Sequence, residues 1–107
     1  METVTPQQAL EMVQTGQAYG VDVREIEEWD GGHFDLFTLN PLSAFDANKI
    51  PTDKPVIFIC RSGKRSAQAC ANVEPSGLHV INMEGGMLAW QEAGLPMSAV
   101  NGAPKIS

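Results

Sequence analysis

At 107 residues, 43% of them hydrophobic, the chain fits one domain with a modest core. Seven basic against thirteen acidic side chains leave a net charge of -6, which argues against a nucleic-acid surface, because a phosphate backbone rewards distributed Lys and Arg. No apolar stretch approaches the roughly 20 residues of a membrane-spanning helix, and Met1-Glu2-Thr3-Val4-Thr5-Pro6 has neither the basic region nor the apolar core of a secretory leader.

Thr5-Pro6-Gln7-Gln8 predicts a helix start, with Thr5 as N-cap, Pro6 at the first helical position and Gln8 completing a capping box. Ala9, Leu10, Met12 and Val13 supply its buried face, and Gly16 stops it. Tyr19 to Val23 predicts a short buried strand whose end carries Asp22, Arg24 and Glu25. Glu25 to Asp30 predicts a short acidic helix closed by Gly31-Gly32, and Phe34 to Leu39 a strand. Ser43 is expected to cap a short helix over Ala44 to Asn48, before turn chemistry from Pro51 to Pro55. Val56 to Cys60 has no polar side chain before the cysteine, as a central parallel strand buried on both faces requires. A helix from Ser66 to Asn72, halted near Pro75 and Gly77, a strand from Leu78 to Met83 and a last helix from Gly86 to Ala93 complete the series. The pattern predicts an α/β fold, an open and mainly parallel sheet of four to five strands with helices on both faces, loose only at its ends. Ligands of such sheets sit beyond the carboxyl ends of the strands, so the Asp22 to Arg24 segment and Cys60 are expected to meet across one crevice.

Chemistry is expected at Cys60. The next five residues, Arg61-Ser62-Gly63-Lys64-Arg65, hold three of the seven basic side chains of an acidic protein. An ordinary thiol, with a pKa of about 8.5, is only a few per cent thiolate at neutral pH, and nearby cations and amide groups shift that balance. Successive N–H groups can curl around the sulfur as an anion nest at the start of a helix, with Gly63 supplying the positive φ of the curl. Ser62 and Ser66 add hydroxyl donors, Ser66 also as helix N-cap. Arg61, Lys64 and Arg65 cannot all reach the sulfur, so the backbone is expected to cradle it while one or two cations face outward and attract an anionic donor. Such a cysteine suits a sulfurtransferase, a redox thiol, or a phosphatase or arsenate reductase. In the last class a Cys, five intervening residues and an Arg wrap a tetrahedral oxyanion, which would put the Arg at position 66. That position is Ser66, and Arg65 comes one residue early, giving a tighter loop better matched to one sulfur atom than to a phosphate.

Three motifs, in order along nearly the whole chain, carry a resemblance. Cys60-Arg61-Ser62-Gly63-Lys64-Arg65-Ser66 resembles the active-site loop of single-domain rhodanese-like sulfurtransferases, Val21-Asp22-Val23-Arg24-Glu25 their first-strand motif, and Asn82-Met83-Glu84-Gly85-Gly86-Met87-Leu88-Ala89-Trp90 their glycine-pair and tryptophan signature. The resemblance implies that Cys60 takes the outer sulfur of thiosulfate or a related anionic donor as a persulfide. It would then pass that sulfur to cyanide or a thiol, including a protein sulfur acceptor, without metal or organic cofactor. Arg61, Ser62, Gly63, Lys64, Arg65 and Ser66 would bind substrate, supported by Asp22 and Arg24. After Gly32-His33 the family continues with an aliphatic residue and a Pro-Gly pair, whereas this chain has Phe34-Asp35-Leu36-Phe37, so variation in substrate preference is expected there. A non-catalytic interaction module is a third reading, against which the presence of the nucleophile speaks.

The remaining notable residues have plainer readings. Two cysteines make no disulfide scaffold, and a free thiol suits a reducing compartment, so a cytoplasmic protein is expected unless a leader has been removed. Cys70, one helical turn beyond Ser66, is expected to be a small packing residue rather than a resolving thiol. His33 is expected to hydrogen-bond structurally, and two His with two Cys form no metal-site spacing. Asp22 and Arg24 are expected to pair at the strand end, Asp22 orienting the loop and Arg24 within reach of substrate. Trp29, Trp90, Met83, Met87 and Met97 read as packing, with Met87 a candidate for a pocket mouth. Glu25, Glu27, Glu28 and Asp30 read as a solvated helix face.

Overall fold

The computed structural model describes residues 1–107. Five strands, β1 (Glu2–Val4), β2 (Tyr19–Asp22), β3 (Phe37–Leu39), β4 (Val56–Ile59) and β5 (Val80–Met83), form one sheet in the order β1-β5-β4-β2-β3. Every ladder is parallel. The helices are α1 (Pro6–Gln14), α2 (Ile26–Gly31), α3 (Lys64–Val73) and α4 (Gly86–Glu92). β4 lies at the centre, and all four of its residues are fully buried, which is why it reads as an uninterrupted apolar run.

Side-chain alternation along the strands divides the core into two layers. Ile57 and Ile59 join Ile81, Met83, Ala9, Met87 and Trp90 under α1 and α4. Val56, Phe58 and Cys60 face the other way, onto Ala69, Cys70 and Val73 of α3. Cys60 therefore falls on the α3 side, where the polypeptide turns directly into that helix. Helix α1 starts as its sequence requires: the Gln8 N–H donates to Thr5 Oγ1 at 3.2 Å and the Thr5 N–H to Gln8 Oε1 at 2.9 Å.

Three expectations change. The strand predicted over Phe34 to Leu39 shortens to β3, because the Phe37 N–H closes a turn onto the Phe34 carbonyl at 3.0 Å and Phe34 packs against Phe37 and Trp90. The helix predicted after Ser43 is two 3-10 turns, Leu42–Ala44 and Ala47–Lys49. Asn40 ties the Asp46 backbone at both its N–H and its carbonyl, interrupting any continuous helix; Asp46 caps the second turn, and the Ser43 hydroxyl donates to Glu25 instead. The N-terminal end is an edge strand, β1, on β5. At the other end the Lys105 N–H donates to the Gly31 carbonyl at 2.9 Å and Ile106 is buried in the core. No helix is long and apolar enough to cross a membrane.

Candidate active site

Cys60 follows β4 directly and is buried, its residue surface 1% exposed. Gly63 takes a left-handed φ of 99° and serves as the N-cap of α3, which folds the chain back over the sulfur. Its N–H donates to Cys60 Sγ at 3.0 Å. Ser66 is not the N-cap expected of it. With Gly63 capping, α3 begins two residues earlier, and Ser66 enters the first turn with its hydroxyl turned inward, 3.3 Å from Cys60 Sγ. Burial pushes the Cys60 thiol up, but hydrogen bonds from the Ser66 hydroxyl and from the N–H groups of Ser66, Gly63 and Ser62 outweigh it and leave the thiol more acidic than an ordinary cysteine. The backbone cradle is in place.

The glycine pair holds this loop from the other side. The first turn of α4 donates its free N–H groups to the loop backbone, Met87 to the Cys60 carbonyl at 2.8 Å and Leu88 to the Arg61 carbonyl at 3.0 Å. Gly86, at φ 57°, makes that approach possible, since a β-carbon there would overlap the carbonyl groups of Cys60 and Arg61. Met87 is fully buried beneath this contact and belongs to the core rather than to a pocket mouth.

The three cations of the loop have separate fates. Arg65 turns to α2, where its two terminal nitrogens meet the two carboxylate oxygens of Glu28 at 2.7 Å each. That hydrogen-bonded guanidinium holds the Glu28 carboxyl down at about 2, against an ordinary 4.5. Arg61 is exposed and donates from Nε to the Ser107 carbonyl at 2.6 Å. Lys64 is exposed and makes no hydrogen bond or ion pair. Ser62 is exposed and contributes through its backbone N–H.

Asp22 and Arg24 form a buried pair, 2.8 Å apart and 0% and 1% exposed, which corrects the reading of Arg24 as a residue within reach of substrate. The Arg24 guanidinium also donates to the carbonyls of Gly32 at 2.8 Å and Glu28 at 3.3 Å. Asp22 accepts from Arg24 alone and so orients α2 rather than the Cys60 loop. Through the Glu28 backbone, the pair positions the carboxylate that holds Arg65. His33 stacks on Trp29 at 4.1 Å and contacts the Trp29 carbonyl at 2.7 Å and Asp35 at 3.1 Å, the structural role expected of it. Asp35 also accepts from Ser98, so the divergent segment after His33 is docked on the fold. Cys70 is fully buried, and burial pushes its thiol up to about 11. The two surface cavities, about 350 and 430 Å³, lie at the far end of α3, against Val73 and Leu78 and against Glu74 and Pro75.

Two residues of the site carry little local signal in the sequence. Glu28 sits in an acidic run that reads as solvated, and nothing local marks it out, because its partner Arg65 lies on α3. Asn82 was passed over inside a motif. It is the polar residue in the otherwise apolar strand Val80–Met83, and it is buried, its amide Nδ2 donating to the Gly63 carbonyl at 3.1 Å and its Oδ1 accepting from the Ser66 hydroxyl.

An open parallel sheet that holds an acidified, hydrogen-bonded thiol in the turn after its central strand defines a thiol-centred α/β protein. Residues 5–93 match the family model of the rhodanese-like domain, and the chain belongs to that family. It is 35% identical over 106 residues to slr1261 of Synechocystis sp., covering 95% of this chain and 59% of that protein. It is 34% identical over 108 residues to the thiosulfate sulfurtransferase GlpE of Actinobacillus succinogenes, covering 96% of each. The crystal structure of a rhodanese-related protein from Thermoplasma volcanium superposes with a TM-score of 0.84 at 26% identity, over 94% of this chain and 100% of that one.

Proposed function

We propose that the protein is a sulfurtransferase that carries sulfane sulfur as a persulfide on Cys60. The observation that carries this reading is the direction of Arg65. A phosphatase loop aims a guanidinium at the oxyanion above its cysteine, whereas Arg65 is held by both oxygens of Glu28, and the groups turned toward the sulfur are backbone N–H groups and a hydroxyl. Those donors suit a single polarisable sulfur. Arg61 and Lys64, exposed at the rim, supply positive charge for an anionic donor.

With thiosulfate as donor, the likeness to GlpE supporting that choice, the Cys60 thiolate attacks the outer sulfur and forms a new S–S bond. The S–S bond of thiosulfate breaks, and sulfite leaves with the electron pair. Cyanide or a thiolate, small or on a protein, then attacks the terminal sulfur of the persulfide and takes it as thiocyanate or a new persulfide, returning the Cys60 thiolate. Both steps are displacements at sulfur, so neither calls on a metal or organic cofactor. The kinetics are ping-pong. Because the chemistry depends on a reduced thiol, we assign the protein to the cytoplasm.

The test is intact mass after incubation with thiosulfate. A gain of about 32 Da, lost on adding cyanide and absent in Cys60→Ala, is expected. No gain with thiosulfate, inorganic polysulfide or glutathione persulfide overturns the proposal.

A further inference from the structure

Ser66 has one hydroxyl proton and two neighbours that can accept it. The carbonyl oxygen of Gly63 only accepts, so the atom of the Asn82 amide that meets it is Nδ2, and Oδ1 is thereby turned toward Ser66. Asn82 Oδ1 lies closer to the hydroxyl than the Cys60 sulfur does, the latter at 3.3 Å. All three groups are buried, and no other donor in the structure reaches Asn82 Oδ1. The hydroxyl can therefore serve the sulfur only by leaving a buried amide oxygen without a donor, a change that the low-dielectric interior penalises.

We propose that Asn82 is a positioning residue for Cys60, competing with its sulfur for the single proton of Ser66. In the thiol form the hydroxyl points to Asn82, and its lone pairs are free to accept the S–H. When that S–H proton passes to solvent, the thiolate keeps the Gly63 N–H and draws on Ser66 only against the pull of Asn82. A sulfur denied one donor is less acidic and, once ionised, more nucleophilic, because nucleophilicity falls as a thiol is made more acidic. Asn82 thus trades some thiolate for a more reactive one. The charged and titratable groups on the elements around Cys60 are Arg65 with Glu28, the Asp22–Arg24 pair at the end of the strand beside β4, Arg61 and Lys64 of the loop, and the buried Cys70 of α3. None of these is altered by the substitutions below. The inference rests on Cys60 as the reactive thiol and not on the identity of its sulfur donor.

The test is the pH profile of Cys60 in Asn82→Leu, Ser66→Ala and the double variant. Thiolate absorbance in the ultraviolet gives the midpoint, and iodoacetamide gives the rate constant; neither needs a sulfane donor, so the result stands apart from that of the persulfide assay. In Asn82→Leu the midpoint should fall by about half to one pH unit, and the rate constant on the alkaline plateau should fall about two- to threefold. In the Ser66→Ala background, Asn82→Leu should change neither. If Asn82 serves only to hold the loop through Gly63, its loss loosens the N–H on the sulfur and the midpoint rises, which overturns the proposal. An unchanged midpoint, or the same fall without Ser66, also overturns it. Should Asn82→Leu not fold, the side-chain amide signals of Asn82 in the unmodified protein decide by NMR. They should move with the Cys60 midpoint and stop moving in Ser66→Ala, and signals that stay fixed, or that move equally in Ser66→Ala, reject the competition.

Discussion

Glu28→Gln tests the clamp between α2 and the cysteine loop. Each tenfold step in acidity is worth about 1.36 kcal/mol, so a carboxyl held at about 2 instead of 4.5 corresponds to roughly 3 kcal/mol of stabilisation before screening. With the Glu28 and Arg65 side chains 25% and 37% exposed, solvent reduces this to about 1 kcal/mol. For a domain of this size that is roughly 4 to 8 °C in melting temperature. Because the folded carboxyl is more acidic than the unfolded one, its contribution is complete above about pH 4.5 and is lost as the pH falls toward 2. The two proteins should therefore differ in thermal and urea unfolding at neutral pH and converge near pH 2. A gap of the same size at both pH values would mean that the substitution acts through packing, and no gap at neutral pH would mean that the clamp contributes nothing; either refutes the reasoning.

Gly86→Ala forces a β-carbon onto the Cys60 and Arg61 carbonyls at a positive φ, so it should cost about 2 kcal/mol or more and raise amide exchange at Met87 and Leu88; unchanged stability would contradict the close approach. Arg24→Met leaves Asp22 buried without its partner and should cost about 3 to 5 kcal/mol in urea unfolding, with much of it recovered in Asp22→Leu/Arg24→Met. Equal losses in the single and double variants would show that the ion pair is not the cause. Near neutral pH, iodoacetamide should label the native protein at Cys60 alone, and at Cys70 only after denaturation, because one thiol is made acidic by hydrogen bonds and the other is held near 11 by burial. Peptide mapping that finds Cys70 labelled first would reverse that assignment.

The parts of the molecule legible in the sequence are those written in local chemistry. The Thr5 capping box, the apolar run of β4 and the Gly63 turn each state their geometry over a few neighbouring residues, and each is found as expected. Strand β1 is three residues long and pairs with β5 some eighty positions away, so no local period announces it. Shorter but still non-local separations conceal the partners of the site. Glu28 meets Arg65 and Asn82 meets Ser66 only after the sheet has placed their elements side by side, and a carboxylate in an acidic run looks solvated until its cation is known. Ser66 has the side chain of an N-cap, but Gly63, three residues earlier, takes that position.

Val56, Phe58 and Cys60 share one face of the central strand, and Ile57 and Ile59 share the other. The location of the sulfur is thus a question of parity. Insertion or deletion of one residue within β4 would send the thiol to the α1 and α4 side, away from Gly63 and Ser66, and would turn every core side chain between the change and Cys60 at the same stroke. Folding and reactivity in this protein consequently draw on the same count of residues, and a mutation that shifts it forfeits both together.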